Sequence, residues 1–121
     1  MNKVHYVNDY SFPLLVMESM FPVMIIFIEN RDNDKEILKI INQSRREGKN
    51  VPMLFLAEVE RKEHAMDKII KLNPGMTNLV GINILPTVVL FKNRAIIKKV
   101  EVKKESEISS IIEEIIEEVL S

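Results

Sequence analysis

Leu85-Pro86, followed by the unbroken apolar run Val88-Val89-Leu90-Phe91, constrains the fold of this chain more than any other feature. Proline has no N–H to give to a ladder, so within a sheet it stands at a strand's first residue or on an edge. The residue before it is driven towards extended geometry. Gly81 to Asn93 therefore reads as a stiff corner at the mouth of a buried strand. Thr87 to Phe91 and Ala95 to Val102 are expected to pair as a hairpin around Lys92-Asn93-Arg94.

A second apolar run, Val23 to Ile28, follows Pro22 and carries apolar residues on both faces, as a central strand covered by helices would. Before it, Lys3 to Val7 reads as a short edge strand, and Asn8-Asp9 supply turn and cap chemistry. Phe12, Leu15, Val16 and Ser19 recur at helical spacing, with Pro13 suited to a first turn. Beyond it, Asn33 and Glu36 have capping-box character. From Asp34 a helix is predicted, with Ile37, Leu38, Ile40 and Ile41 buried and Lys39, Asn42, Arg45 and Arg46 facing water. Gly48 with Asn50 ends it. Val51 to Leu56 reads as a second core strand, with Met53 in the core beside Met24 and Met66. Glu60 to Leu72 reads as a helix carrying Met66, Ile69 and Ile70, stopped by Asn73-Pro74-Gly75; a strand at Lys68 to Leu72 is the alternative.

The final helix has the clearest period: Ile108, Ile111, Ile112, Ile115, Ile116, Val119 and Leu120, with glutamates opposite and Ser106 as cap. β-Branched isoleucine is a mediocre helix former, so packing against a sheet must hold it. The order is β-α-β-α-β-α-β-β-α. Helix crossovers imply parallel pairing and the tight hairpin antiparallel pairing. An α/β fold with a mixed central sheet flanked by helices follows, and 121 residues suit a single domain spanning 1–121.

Gly81 to Asn93 resembles the cis-proline region of the thioredoxin family, Gly-Ile-x-x-x-Pro-Thr followed by apolar residues and Phe-Lys-Asn-Gly; Arg94 stands in place of that last glycine. His5 to Phe12 is similar to the family's opening strand and turn, and Val23 to Phe27 to its central strand. The resemblance covers nearly the whole chain and implies a thioredoxin-like fold. Only Val59 to Gly75 is longer than the family's usual connection. Counted without a gap from Phe27, the family's Cys-x-x-Cys falls on Asp32-Asn33-Asp34-Lys35. Arg31 replaces the tryptophan before it, and Ile26 the buried acid of the central strand. The chain has no cysteine at all. In active members the first cysteine sits at a helix amino terminus, where the dipole favours the thiolate. A carboxylate there can cap, but it cannot attack a disulfide. Thiol–disulfide oxidoreductase activity is excluded by composition.

What the resemblance leaves is shape. In the family the residue before the proline pairs its backbone with an extended peptide, and that residue is Leu85 here. The implied function is a redox-inactive protein-binding or scaffold module. Its contact surface would be Arg31, Asp32, Asn33, Asp34, Lys35, Leu85, Pro86 and Thr87, and its partner a protein or extended peptide. A purely structural role for the proline loop stays open beside it. A second class is a non-thiol enzyme or metal-binding protein using the acidic cluster Glu29, Asp32, Asp34 and Glu36. That cluster matches no calcium loop, and helix starts are commonly acidic for dipole reasons. A third class is a structural homodimer or accessory subunit. The cations Lys92, Arg94, Lys98, Lys99, Lys103 and Lys104 could meet the glutamates of the last helix, or they could be a solvated fringe.

No cofactor or metal is expected, because His5 and His64 lack ligand-spaced partners and no Gly-rich phosphate loop is present. The formal charge of −1 and 6% aromatic content give no basis for nucleic-acid binding. No apolar run reaches the length of a membrane span, and the polar amino terminus does not read as a signal peptide. A cytoplasmic location with no membrane partner is the resulting expectation.

Overall fold

The computed structural model describes residues 5–28, 39, 53–64, 67–104 and 107–120, with side chains at all of these except 60–72, 116, 119 and 120. Strand β1 (Val23–Ile28) is the middle of the molecule. All six of its side chains are buried, as a run without alternation requires when both faces are covered. It pairs in parallel with β2 (Met53–Glu58) and antiparallel with β5 (Thr87–Lys92). Strand β6 (Ala95–Glu101) closes the order β2-β1-β5-β6. On the other edge, Tyr6 forms a parallel bridge to Leu56, with Val7 N–H on Leu56 O at 2.9 Å and Leu56 N–H on His5 O at 2.8 Å. Of the expected edge strand Lys3 to Val7, the described residues His5 to Val7 form this rung, and Lys3 and Val4 lie outside the described residues.

Alternation assigns the two faces. Met24, Ile26, Ile28, Leu56, Val88 and Leu90 point to one side, where Ile108, Ile111, Ile112 and Ile115 of the last helix cover them. Val23, Ile25, Phe27, Phe55, Ala57, Val89 and Phe91 point to the other, against Phe12, Val16, Met76 and Val80. Full burial of each large apolar side chain stabilises by about 1.5–3 kcal/mol. Met53 is the exception among the methionines expected in the core: as the first residue of β2 it lies at the sheet's end and is half exposed.

Pro13 opens a π-helical turn, Pro13–Met17, closed by Glu18 N–H on Pro13 O at 3.1 Å. Asn8 and Ser11 cap its approach reciprocally: Ser11 N–H donates to Asn8 Oδ1 at 2.8 Å and Asn8 N–H to Ser11 Oγ at 3.1 Å. The last helix, here α2 (Ile108–Leu120), buries the predicted isoleucine stripe through Ile115.

The stretch read as a helix over Glu60 to Leu72 is a hairpin. Strands β3 (Glu60–His64) and β4 (Asp67–Leu72) pair antiparallel in a separate two-stranded sheet. The alternative strand was therefore the right reading at its carboxyl half. Asn73-Pro74-Gly75 does not stop a helix but starts one, α1 (Pro74–Val80). Proline at a first helical position loses no bond, since that N–H has no intrahelical partner. A helix does stand between the third and fourth strands of the predicted order, but it is α1, beyond the hairpin, and not the Glu60 to Leu72 stretch. Of the helix expected from Asp34 to Gly48, Lys39 is described and is helical and exposed. The remainder of that prediction, with the Asn33–Glu36 cap, Val51, Pro52, Met66 and the Ser106 cap, lies outside the described residues.

Candidate functional site

The register brings three segments to one end of the sheet. Thr87 is opposite Phe27, so the Leu85-Pro86 corner sits beside the end of β1. Glu58 is opposite Ile28, and Val59 N–H continues the pairing onto Ile28 O at 2.7 Å, which starts the β3–β4 hairpin at the same end. Residues 29–35 follow directly from Ile28 in the chain.

The corner is built from its own backbone. Gly81 ends α1 with φ +75°, a region that a side chain disfavours, and its N–H and that of Ile82 both bond Thr77 O at 3.0 Å. The Leu85–Pro86 peptide is cis. Thr87 is fully buried, and its hydroxyl donates to Ile84 O at 2.5 Å, closing the loop on itself. Pro86 O accepts Val102 N–H at 3.0 Å, which ties the loop to the chain leaving β6. Leu85 and Ile82 are half-buried against the cluster around Phe27 and Phe91. Among the described residues, neither the N–H nor the carbonyl of Leu85 has a hydrogen-bond partner. Left unpaired among the described residues and set beside an apolar side chain, these two groups offer main-chain pairing to an incoming extended segment.

Of the predicted contact residues, Leu85, Pro86 and Thr87 come together here, with Thr87 turned inward as a brace. Arg31, Asp32, Asn33, Asp34 and Lys35 lie outside the described residues, as do Glu29 and Glu36 of the acidic cluster. No group of three or more His, Asp or Glu side chains with metal-ligand geometry occurs among the described residues. No helix among them is long and apolar enough to cross a membrane.

A polar clasp beside the site has no counterpart in the sequence reading. Asn73 has left-handed backbone, φ 57°, and is buried. Its Nδ2 donates to Glu58 O at 2.7 Å, and its Oδ1 accepts Asp9 N–H at 3.0 Å. The Asp9 carboxylate then accepts Gly75 N–H at 2.8 Å and Met76 N–H at 2.7 Å, capping α1 from 66 residues away. One buried side chain thus joins the two ends of the β3–β4 hairpin to each other and to the amino-terminal turn. Asn8-Asp9 signalled a cap, but not which helix. At the other end of α1, Lys99 Nζ donates to Gly81 O at 3.0 Å, where a cation also suits the dipole. On the opposite face of β6, Lys98 pairs with Glu118 at 2.5 Å, and that bond, with the charges of Glu118 and Glu114, raises the lysine's pKa.

No family model and no curated protein match the sequence. Solved structures do. Thioredoxin f2 of Chlamydomonas reinhardtii superposes with a TM-score of 0.61 at 13% identity, over 93% of this chain and 95% of that one. Thioredoxin f from spinach chloroplast, in its long form, gives 0.65 at 18% identity, over 98% and 88%. At such identities the likeness speaks for architecture alone: the chain has a thioredoxin-like fold, and it has it without a cysteine.

Proposed function

We propose that this chain is a redox-inactive, thioredoxin-like binding module that docks an extended segment of another protein against Leu85. The supporting observation is that the N–H and carbonyl of Leu85 have no partner among the described residues and stand at the sheet end beside a half-buried apolar side chain. Main-chain pairing supplies affinity in such docking, and the flanking side chains supply selection. Residues 31–35, next in the chain after β1, complete the proposed contact surface together with Pro86, while buried Thr87 braces the loop from within. With no cysteine, the site offers recognition without exchange chemistry.

The test is capture of partners on immobilised protein, wild type against Leu85→Glu, with circular dichroism to confirm that the variant folds. A buried-edge carboxylate beside the docking backbone should abolish retention of any partner that the wild type holds. Equal retention by a folded Leu85→Glu protein refutes the reading.

A further inference from the structure

Strand β6 is the last strand of the sheet order, and among the described residues nothing pairs with its outer side. Its Ile96 and Ile97 are 42% and 53% exposed. Cations lie at both of its ends, Lys92 and Arg94 at the turn and Lys103 and Lys104 where the chain leaves, and all four are exposed. None of the four has an ion-pair partner among the described residues.

Helix α2 packs on the sheet face behind this edge. It begins just beyond Lys104 and, near its carboxyl end, Glu118 reaches Lys98 on β6. Thirteen helical residues span about 20 Å and seven strand residues about 23 Å, so the two elements are similar in length. Glu118, Glu114 and Glu107 are four and seven residues apart, which sets them on one flank of the helix. Glu118 shows which flank, and the field of Glu114 at Lys98 agrees. The edge therefore carries cations at both ends of the strand, with exposed Glu101 beside the second group, and acidic residues on one flank of the helix behind it.

We propose that this edge is a homodimer interface, with a second copy of the chain as its occupant. A two-fold axis parallel to β6 sets the cations of each copy against the acidic helix flank of the other, with Ile96 and Ile97 towards the turn end of the contact. Direct β6–β6 pairing is disfavoured. The strand is bulged between its pairings to Leu90 and Phe91, and it would set lysines against lysines. This interface runs along the flank of the sheet, and only its Lys103–Lys104 end approaches the Leu85-Pro86 corner, through Val102 N–H on Pro86 O. An edge about 20 Å long is short of a standard interface, so association is expected to be concentration-dependent and salt-sensitive.

Sedimentation equilibrium at several concentrations, in low and high salt, tests it with the intact chain. A dimer is expected that weakens about tenfold or more when salt screens it or when Lys103→Glu/Lys104→Glu reverses two charges. Glu107→Lys/Glu114→Lys should do the same. Mixing the two double variants should restore a heterodimer, because each altered set of charges then meets an opposite one. Circular dichroism checks that both variants fold. A chain that stays monomeric at every concentration, a dimer indifferent to salt and reversal, or folded variants that fail to associate on mixing would each overturn the proposal.

Discussion

Strand β1 and the Glu58–Met76 segment are held by opposite means. In β1 six consecutive side chains are buried, and the forces are apolar contacts with both layers. In the second segment the structure turns on one buried asparagine that bonds Glu58 and Asp9, and on an aspartate that caps a helix far away in sequence. Apolar burial is non-directional and spread over many contacts, so a run of suitable residues announces it. Buried polar bonds are directional and pairwise, so neither partner announces the other. The lesson for the candidate site is direct: its core side rests on many apolar contacts, while among the described residues its hairpin side adds a directional clasp of a few polar atoms.

Phe27→Ala should expose that difference most strongly. It removes a fully buried ring from the centre of one layer and should cost about 3–5 kcal/mol, read as a lowered urea midpoint. Asn73→Gly comes next. Glycine tolerates the left-handed backbone, so the change isolates the side chain, leaving Glu58 O and Asp9 N–H without their partner at a cost of about 1–3 kcal/mol. Hydrogen exchange should then quicken around residues 58–60 and 73–76 while β1 keeps its protection. If β1 loosens equally, the clasp is not a local device and the contrast fails.

Arg94→Gly should move stability the other way. Asn93 and Arg94 both have positive φ, 52° and 66°, as a two-residue hairpin turn of this twist requires. Glycine meets that demand without a Cβ penalty, so a gain of about 0.5–1 kcal/mol is expected as a raised Tm. The smallest effect is reserved for Glu118→Gln. Lys98 titrates above the ordinary lysine value because of its bond to Glu118, so the substitution should lower that pKa, measurable by NMR. A raised pKa means that any stabilisation is complete below the ordinary lysine value and is lost as pH climbs through the folded one. Wild type and variant should therefore converge in strongly alkaline solution.

Much of the fold was legible because its signals are local. Val23 to Ile28, Thr87 to Phe91 and the isoleucines of α2 declare burial and period within their own segments. The Leu85-Pro86 corner was legible for the same reason, since proline restricts its own φ and its neighbour's backbone. Glu60 to Leu72 was not. Its apolar residues are few, both periods fit, and its helix–hairpin choice is made by pairing across the chain and by the clasp at its base. Asn73-Pro74-Gly75 contains breaker residues that serve equally as a stop or a start. What tips it to a start is the Asp9 carboxylate delivered to Gly75 and Met76 by the fold.

The sequence by itself determined the layered α/β architecture, the loss of sulfur chemistry and the place of the proline corner, because each rests on residue type or on spacing within one element. Only the tertiary structure decided that the backbone groups of Leu85 find no partner among the described residues, that Asp9 caps a helix 66 residues on, and that Lys98 meets Glu118. Those are meetings between distant segments. Their energies depend on distance and direction after folding, and no local pattern records them.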